Sequence, residues 1–458
     1  MRSRGRSLSG ITLVLLVFIA FRSMTAQPGS AQPGPIAFVN VNVVPMDAER
    51  VLPQSTVITN AGRIVAVGPL RTVRIPQGAQ RIDGRGRFLM PGLADMHVHL
   101  NIRGAAGLLK NQDYAVLFLA NGVTTVRNMW GNADVLAFRR SIDSGAVVGP
   151  LIYTTGPVTD GNPPIRPLSH VVQTPEEAIQ AVDQDKRDGY DAFKVYNRLR
   201  ADVYQAIVAR ARSIGLPVYG HVPNEVGIFG VLAAHQASIE HVEGYLEALD
   251  KDGTQDNEST LVAETVKAGT WNCVTLVFYQ GAVAGSEAAK LLAKPSMRFV
   301  PPALREVWKN NPQLTSLTEY QFGRLRLYDQ KRRDFVRALH RGGARLLVGT
   351  DTPNQFVVPG FAVHEELANL VEVGLTPFEA IRAATSGAAE FLKAQTEWGR
   401  VASGLRADLL LVEGNPLQAV ENAERRVGVM VGGRWIPEST LRESLERMAG
   451  SFGTAAAK

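Results

Sequence analysis

The chain has 458 residues, of which 45% are hydrophobic and 20% charged, and its formal net charge is +6. This composition excludes a chain that is disordered as a whole, and the length suits one large barrel or two domains. A single cysteine, Cys273, excludes an internal disulfide framework, so the fold must be stabilised by its core and by any bound metal.

The N-terminus has the pattern of a secretory signal peptide. Three arginines precede an apolar core at residues 11–21, and Ser-Met-Thr-Ala at 23–26 favours cleavage after Ala26. We therefore expect an exported protein, periplasmic or secreted, without stable membrane association after cleavage. The alternative is an uncleaved N-terminal membrane anchor, although the core is short for a full span. Loss of residues 1–26 removes four arginines and lowers the formal charge from +6 to about +2, which gives no support to a nucleic-acid partner.

Both ends of the remaining chain predict short β-strands. Residues 27–35 are rich in Pro, Gly, Ser and Gln and are interpreted as a linker. Alternating apolar runs over residues 36–90, separated by turn signals, predict antiparallel strands, and similar runs return over residues 393–440. We infer that the two ends pair into one small β-sandwich, and that residues 441–458 form a C-terminal tail.

Between these ends, over residues 91–392, short apolar runs alternate with helical segments. This pattern is typical of the α/β class and predicts a TIM-type (β/α)8 barrel. A longer interval before the last strand leaves room for a helical insertion at residues 282–329, which would serve as a lid or as a contact in a homo-oligomer. The strands are predicted at residues 93–99, 123–129, 151–155, 192–196, 217–221, 238–242, 270–276 and 345–351.

The first barrel strand carries two histidines one residue apart. Residues 91–99 read Pro-Gly-Leu-Ala-Asp-Met-His-Val-His, and in a strand His97 and His99 point to the same face, where they could hold one metal ion. Two half-buried structural histidines are the alternative. The segment resembles the first barrel strand of the amidohydrolase superfamily, in particular its imidazolonepropionase-like and prolidase-like branch, in which both histidines bind a divalent metal. The resemblance covers nearly all of residues 36–437, with one departure at Asn128, where relatives usually have aspartate.

Four later residues match ligands of that family at the ends of other strands, where such barrels build their active sites. Lys194 matches a carboxylated lysine, His221 and His241 match single histidines of strands five and six, and Asp351 lies in a matching Gly-Thr-Asp. Each has a plainer interpretation on its own: a lysine reaching solvent, a structural histidine, a helix N-cap.

The resemblance implies a binuclear centre. It places one metal on His97, His99 and Asp351 and a second on His221 and His241. Lys194, converted by carbon dioxide to a carbamate, would bridge them. We expect zinc, although these ligands also accept manganese, cobalt or iron.

This centre implies a hydrolase, in which a bridging hydroxide attacks a carbonyl and Asp351 acts as general acid and base. Imidazolonepropionase-type enzymes use one metal and lack the bridging lysine, so Lys194 favours the two-metal branch. We therefore expect cleavage of an amide C–N bond in Xaa-Pro dipeptides or N-acyl amino acids. The alternatives are hydrolysis of cyclic amides or lactones, promiscuous hydrolysis of phosphotriesters, and a metal-containing binding protein without turnover.

Such substrates need a cation for their carboxylate and a hydroxyl to orient the scissile carbonyl. Some candidates lie near predicted strand ends, and His170 lies in the loop after strand three. For every candidate, a surface or packing role is the alternative. The candidates are His170, Tyr196, Arg166, Arg198, Tyr245 and His364.

Overall fold

The computed structural model of the protein describes residues 34–100, 108–252 and 256–455. The predicted signal peptide and the predicted linker up to residue 33 lie outside these ranges. Within the ranges, no helix is both long enough and apolar enough to span a membrane.

The described residues form two groups of strands with helices around the larger group. The strands, in chain order, are β1 (Ile36–Val43), β2 (Leu52–Asn60), β3 (Arg63–Pro69), β4 (Gln80–Asp83), β5 (Phe88–Pro91), β6 (Leu93–Val98), β7 (Val123–Asn128), β8 (Leu151–Asp160), β9 (His170–Val171), β10 (Ala192–Val195), β11 (Val218–Gly220), β12 (Ser238–Glu240), β13 (Trp271–Cys273), β14 (Leu346–Leu347), β15 (Leu409–Val412), β16 (Arg426–Val431) and β17 (Arg434–Pro437). The helices are α1 (Asn111–Ala120), α2 (Ala133–Asp143), α3 (Pro175–Asp188), α4 (Ala201–Ser213), α5 (Gly227–Ala233), α6 (Tyr245–Asp252), α7 (Asp256–Ala268), α8 (Leu276–Ala282), α9 (Ala288–Leu292), α10 (Pro302–Lys309), α11 (Pro312–Thr315), α12 (Glu319–Arg341), α13 (Phe361–Glu372), α14 (Pro377–Ala383), α15 (Ser386–Phe391) and α16 (Glu438–Ala455).

The two ends of the chain pair into a small β domain, as predicted. Its strands form one eight-stranded sheet in the order β17-β16-β15-β5-β1-β2-β3, with β4 also paired to β1. The join between the two ends is the antiparallel pair of β5 and β15, where Leu89 lies opposite Leu411. Alternating apolar residues of these strands bury a separate core that includes Phe38 and Met430. Both ends of the chain therefore contribute residues to this core.

The barrel is confirmed as eight parallel strands in sequence order, β6, β7, β8, β10, β11, β12, β13 and β14. It closes between the last and first strands, where the Met96 amide donates to the Val348 carbonyl at 2.8 Å. Gly92 connects the β domain to β6 at a point of close approach, because a Cβ there would lie 2.2 Å from Oγ1 of Thr124. The eighth strand is shorter than predicted, since its hydrogen-bonded pairing with β13 stops at Leu347.

Helices fill the interval between β13 and β14, where an insertion was predicted at 282–329. They extend from α8 to α12, and α12 continues to Arg341, beyond the predicted limit. Thr318 begins α12 with a capping box, accepting a hydrogen bond from the Gln321 amide. The segment 441–458, described from sequence only as a tail, lies largely within α16, which buries Leu441, Leu445 and Met448.

Candidate metal centre

The carboxyl ends of the barrel strands bring three histidines to the carboxylate of Asp351. Nε2 of His99 lies 2.7 Å from Oδ1 of Asp351, and Nε2 of His97 lies 3.4 Å from the same oxygen. Nε2 of His241 lies 4.0 Å from Oδ2. Three ligand atoms lie within 4.8 Å of one another, one each from His97, His99 and Asp351. This spacing suits a single bound cation.

His221 extends this cluster on the side of His241. The ring centroids of His221 and His241 are 5.0 Å apart, and those of His241 and His97 are 4.6 Å apart. The imidazoles predicted from strands one, five and six therefore line one continuous wall at the end of the barrel. The structure brings together the residues that the sequence assigned to two neighbouring metals.

A second layer of polar residues holds Nδ1 of three of these histidines. Nδ1 of His97 lies 2.8 Å from Oε2 of Glu240, and Nδ1 of His241 lies 2.7 Å from Oγ1 of Thr275. Nδ1 of His221 lies 2.9 Å from Oδ1 of Asn197. Because each Nδ1 has a partner, each Nε2 is left to face the centre, which is how metal-binding imidazoles are usually oriented.

Glu240 is itself part of a buried ionic cluster. Nη2 of Arg127 donates to Oε1 and Oε2 of Glu240 at 3.0 and 2.8 Å, and Oγ of Ser238 donates to Oε1 at 2.5 Å. The side chains of Arg127 and Glu240 are 1% and 0% exposed. Since a buried charge is costly without a partner, this pair must stay intact for His97 to keep its orientation.

Lys194 projects from β10 into the same region and is 1% exposed, so the interpretation of a lysine reaching solvent is wrong. Its Nζ makes no hydrogen bond within the described part of the chain. Burial lowers the pKa of this amine to about 8. A buried amine without a partner is costly, so its environment favours either the neutral form or a chemical change that gives it partners.

Several residues that carry these groups have backbone angles in the left-handed region. The φ angles are 60° at Asp351, 66° at His241 and 50° at Thr275. Asp95 holds the residue that precedes Asp351. Its carboxylate accepts from the Thr350 amide at 3.0 Å and from the Thr350 hydroxyl at 2.6 Å. Positive φ angles in non-glycine residues cost free energy, and their concentration at the strand ends is typical of a functional site.

Burial and neighbouring charges set the protonation of the cluster. Burial, joined by the charge of Lys194, lowers the pKa of His97 and of His221 well below their ordinary range, and burial also lowers that of His241. Burial raises the pKa of Asp351, but the neighbouring histidines and Lys194 outweigh it, and the net shift is downward. Neutral imidazoles beside an ionised carboxylate are the forms that bind divalent metals.

This donor set fits the metals that the sequence predicts. His97 and Lys194 each carry a buried nitrogen, Nε2 and Nζ respectively, without a hydrogen bond in the described residues, as expected where a further group completes the site.

Asn128, where relatives of the family usually have aspartate, orders the backbone beyond His99. Its Oδ1 accepts from the Leu100 amide at 2.7 Å, and its Nδ2 donates to Oγ1 of Thr154 at 2.9 Å.

Two of the predicted substrate-binding residues lie next to the centre. The ring of Tyr196 lies 4.0 Å from that of His221, centroid to centroid, and its hydroxyl accepts from Nε of Arg166 at 3.3 Å. Arg198 is exposed and donates to the Pro163 carbonyl at 2.8 Å, and His170 is exposed at the start of β9. Arg166 and Tyr196 are therefore the better placed of these four.

The structure does not bring Tyr245 or His364 to the centre. The hydroxyl of Tyr245 shares a hydrogen bond with Oγ1 of Thr265 at 3.0 Å, and its ring packs on Phe335. Nε2 of His364 lies 3.0 Å from the Asn121 carbonyl, and burial lowers the pKa of this histidine to about 4. Both side chains face the core because α6 and α13 present them to packed neighbours.

Some residues at the site were missed by the sequence analysis. Glu243, two positions after His241, lies 2.7 Å from Nδ1 of His221 through Oε2, and it also accepts from Nδ2 of Asn197 at 2.9 Å. Tyr279 donates to the His241 carbonyl at 3.4 Å. The position of Glu243, two residues after a predicted ligand, could have indicated its role. No sequence pattern indicated Tyr279, because it lies on α8, after the seventh barrel strand β13.

Comparison with known proteins identifies the family of the chain. The model of the family described as "Amidohydrolase family" matches residues 88–436. A solved structure described as a "putative prolidase from Bifidobacterium longum" is 26% identical, with a TM-score of 0.70 over 91% of this chain and 99% of that chain. Bottromycin amidohydrolase is 24% identical, with a TM-score of 0.75 over 92% of both chains. An adenine deaminase from Mesorhizobium japonicum is 22% identical over 88% of this chain, which spans 58% of the length of that relative.

Proposed function

Because the chain belongs to the amidohydrolase family, we propose that it is a binuclear metal-dependent hydrolase that cleaves an amide C–N bond in Xaa-Pro dipeptides or N-acyl amino acids. One observation carries this proposal: the buried Nζ of Lys194 has no hydrogen bond among the described residues, on a barrel whose other strand ends supply four histidines and Asp351. The likeness to a protein described as a prolidase, at 26% identity, supports the substrate class.

The chain offers two sets of ligands. His97, His99 and Asp351 would hold one cation, and His221 and His241 the other. Lys194 would bind both as a carbamate: its neutral amine attacks carbon dioxide, an N–C bond forms and a proton leaves. When bound, two divalent cations, zinc by preference, supply a Lewis acid for the substrate carbonyl and a water that ionises near neutral pH.

Residues of the chain supply the proton transfers and the orientation of the substrate. The carboxylate of Asp351 accepts a proton from the attacking water and returns it to the leaving nitrogen, which cannot depart as an anion. The lowered pKa of Asp351 keeps it ionised before the reaction. The Tyr196 hydroxyl, which lies beside His221 and accepts from Arg166, would donate to the oxygen of the scissile carbonyl.

Metal content and a substrate panel test the proposal. Protein prepared with bicarbonate and zinc is expected to contain two metals per chain, measured by elemental mass spectrometry. It should hydrolyse N-acyl amino acids or Xaa-Pro dipeptides faster than hydantoins, lactones, a chromogenic phosphotriester or adenine. Turnover of cyclic compounds alone would favour a cyclic amide or lactone hydrolase, and release of ammonia from adenine would favour a deaminase. No turnover at full metal content would favour a binding protein.

We also propose that the protein acts outside the cytoplasm, after removal of residues 1–26. Mass spectrometry of the protein purified from its native host is expected to give a mature N-terminus at Gln27. An intact N-terminus in a membrane fraction would instead favour the anchored form.

A further inference from the structure

A cavity of about 650 Å³ opens beside the candidate metal centre and shares His241 with it. Its walls come from the segments after β11 and β12 and from the helices between β13 and β14. This volume is in the range of small-molecule sites, about 300–1,000 Å³. The cavity is therefore well placed to receive the part of a substrate that extends beyond the scissile bond.

The cavity has an apolar wall beside polar residues such as Asn197 and Asn224. Val222, Val226 and Ile228 line it on one side and Leu246 on another. Phe229 also lines it and is 46% exposed, which leaves an aromatic face open to a ligand. Such a wall favours an apolar side chain, because burying apolar surface is favourable by about 25 cal/mol per Å².

One buried cation interrupts this apolar wall. Arg332 of α12 lines the cavity and is 6% exposed. Its Nη1 donates to Oδ1 of Asp329 at 3.0 Å, but Oδ2 of the same carboxylate lies 3.3 Å from Nε of Arg333. Nε of Arg332 makes no hydrogen bond within the described part of the chain. One carboxylate is thus shared by two guanidinium groups, and Arg332 keeps one donor that the described residues leave without a partner.

A single tyrosine connects Arg332 to the metal centre. The guanidinium carbon of Arg332 lies 3.2 Å from the ring centroid of Tyr279, and the hydroxyl of Tyr279 donates to the carbonyl of His241. The carboxylates that line the cavity already have partners: Glu243 contacts His221 and Asn197, and Glu247 accepts from the Tyr328 hydroxyl at 3.1 Å. Among the described residues that line the cavity, Arg332 is therefore a buried cation with capacity for an anion.

We propose that this cavity is the leaving-group subsite, and that it takes an L-amino acid with an apolar side chain bulkier than proline, whose free α-carboxylate accepts hydrogen bonds from Arg332. This inference rests on the proposed hydrolase function. A guanidinium forms short, directional hydrogen bonds to a carboxylate, which gives selectivity for a free carboxylate over a neutral amide. The apolar wall selects the side chain.

The test compares a free and a capped carboxylate in the wild type and in two variants. N-acetyl-L-phenylalanine and N-acetyl-L-phenylalaninamide are incubated with the zinc-loaded enzyme, and the release of acetate is measured. The wild type is expected to show a kcat/KM at least 30-fold higher for the free acid. Arg332→Gln should reduce that ratio to below 3, mainly by slowing the free acid. Arg337→Gln, a control at a surface ion pair on the same helix, should keep the full ratio.

Two results would overturn the subsite. One is a wild-type ratio near 1, and the other is loss of the ratio in Arg166→Gln while Arg332→Gln retains it, since the carboxylate would then lie at the rim. The wild-type comparison stands even if Arg332→Gln fails to fold, and Arg332→Lys provides a second variant, expected to keep part of the ratio.

Calorimetry separates the subsite from the proposed reaction. The wild type is expected to bind L-phenylalanine at least 10-fold more tightly than L-phenylalaninamide or glycine. Arg332→Gln should lose the preference for L-phenylalanine over L-phenylalaninamide. Binding with this pattern but without turnover of any N-acyl amino acid would contradict the reaction alone. Turnover without any preference for the carboxylate would contradict the subsite alone.

Discussion

Nδ1 of His97, in the first barrel strand, lies 2.8 Å from Oε2 of Glu240, in the sixth, and both side chains are buried. Glu240 is also the partner of Arg127 in the second strand. One carboxylate therefore joins three strand ends and sets the orientation of a candidate metal ligand.

Glu240→Gln is expected to destabilise the fold and to weaken metal binding. Loss of one partner leaves Arg127 as an unpaired buried charge, which costs about 3–5 kcal/mol in the free energy of unfolding. Loss of the partner of His97 should lower zinc affinity by about 10- to 100-fold. Urea unfolding and competition with a zinc chelator measure the two effects. Glu413→Gln, at an exposed ion pair with Arg425, is the control and should change neither.

The metal-free protein should become more stable as the pH rises from about 8 to 10.5, because of Lys194. Burial lowers the pKa of its amine from the ordinary 10.5 to about 8. Below about pH 8 both the folded and the unfolded chain bind the proton. Between the two pKa values only the unfolded chain binds it, so the free energy of unfolding increases with pH, by up to about 3 kcal/mol.

Lys194→Met isolates this contribution. The difference between wild type and variant, from urea unfolding in the presence of a chelator, should shrink across that pH range. A constant difference from pH 7 to 10.5 would show that the amine titrates normally.

Lys194→Ala should also remove the bridge between the proposed cations. We expect the zinc content to fall from two to at most one per chain and kcat to fall by at least about 100-fold, since proton transfer and metal chemistry each contribute factors of that size. Addition of a short carboxylic acid, which can occupy the space of the missing side chain, should restore part of the activity. Full metal content and unchanged kcat in the variant would contradict the bridging role.

Asp351→Asn keeps an oxygen that can bind metal but removes the proton acceptor. We expect kcat to fall by about 10²- to 10⁴-fold while KM changes little. Steady-state kinetics with matched metal content measure this, and Asp143→Asn, on the surface helix α2, is the control. A variant that retains wild-type kcat would assign the proton transfer to another residue.

The barrel and the positions of its ligand-bearing strands could be predicted because both depend on local patterns. Short apolar runs between helical segments specify the strands, and His97, Lys194 and Asp351 each follow such a run. The length of the last strand could not be predicted in this way, since its end at Leu347 depends on pairing with β13. Gly349 then allows a close approach that no periodicity reports: a Cβ there would lie 2.3 Å from Sγ of Cys273.

Residues beside the ligands were predicted less well. Tyr196 follows Lys194 by two positions, and the structure places it at the centre. Tyr245 and His364 were candidates by proximity in sequence, yet helix geometry turns both into the core. Arg332 lies in the middle of a long charged helix, and only the packing of α12 against Tyr279 gives it a place in the cavity.

The pairing of β5 with β15 affects how this protein reaches its folded state. β5, the β-domain strand just before the barrel, pairs with β15 near the other end of the chain, so the β domain must remain open at one edge until synthesis is nearly finished. Pairings between such distant segments form slowly, because the chain loses the entropy of closing a long loop before the stabilising contacts form. A truncation before residue 409 would therefore leave Leu89 and its neighbours as an exposed apolar edge, prone to aggregation.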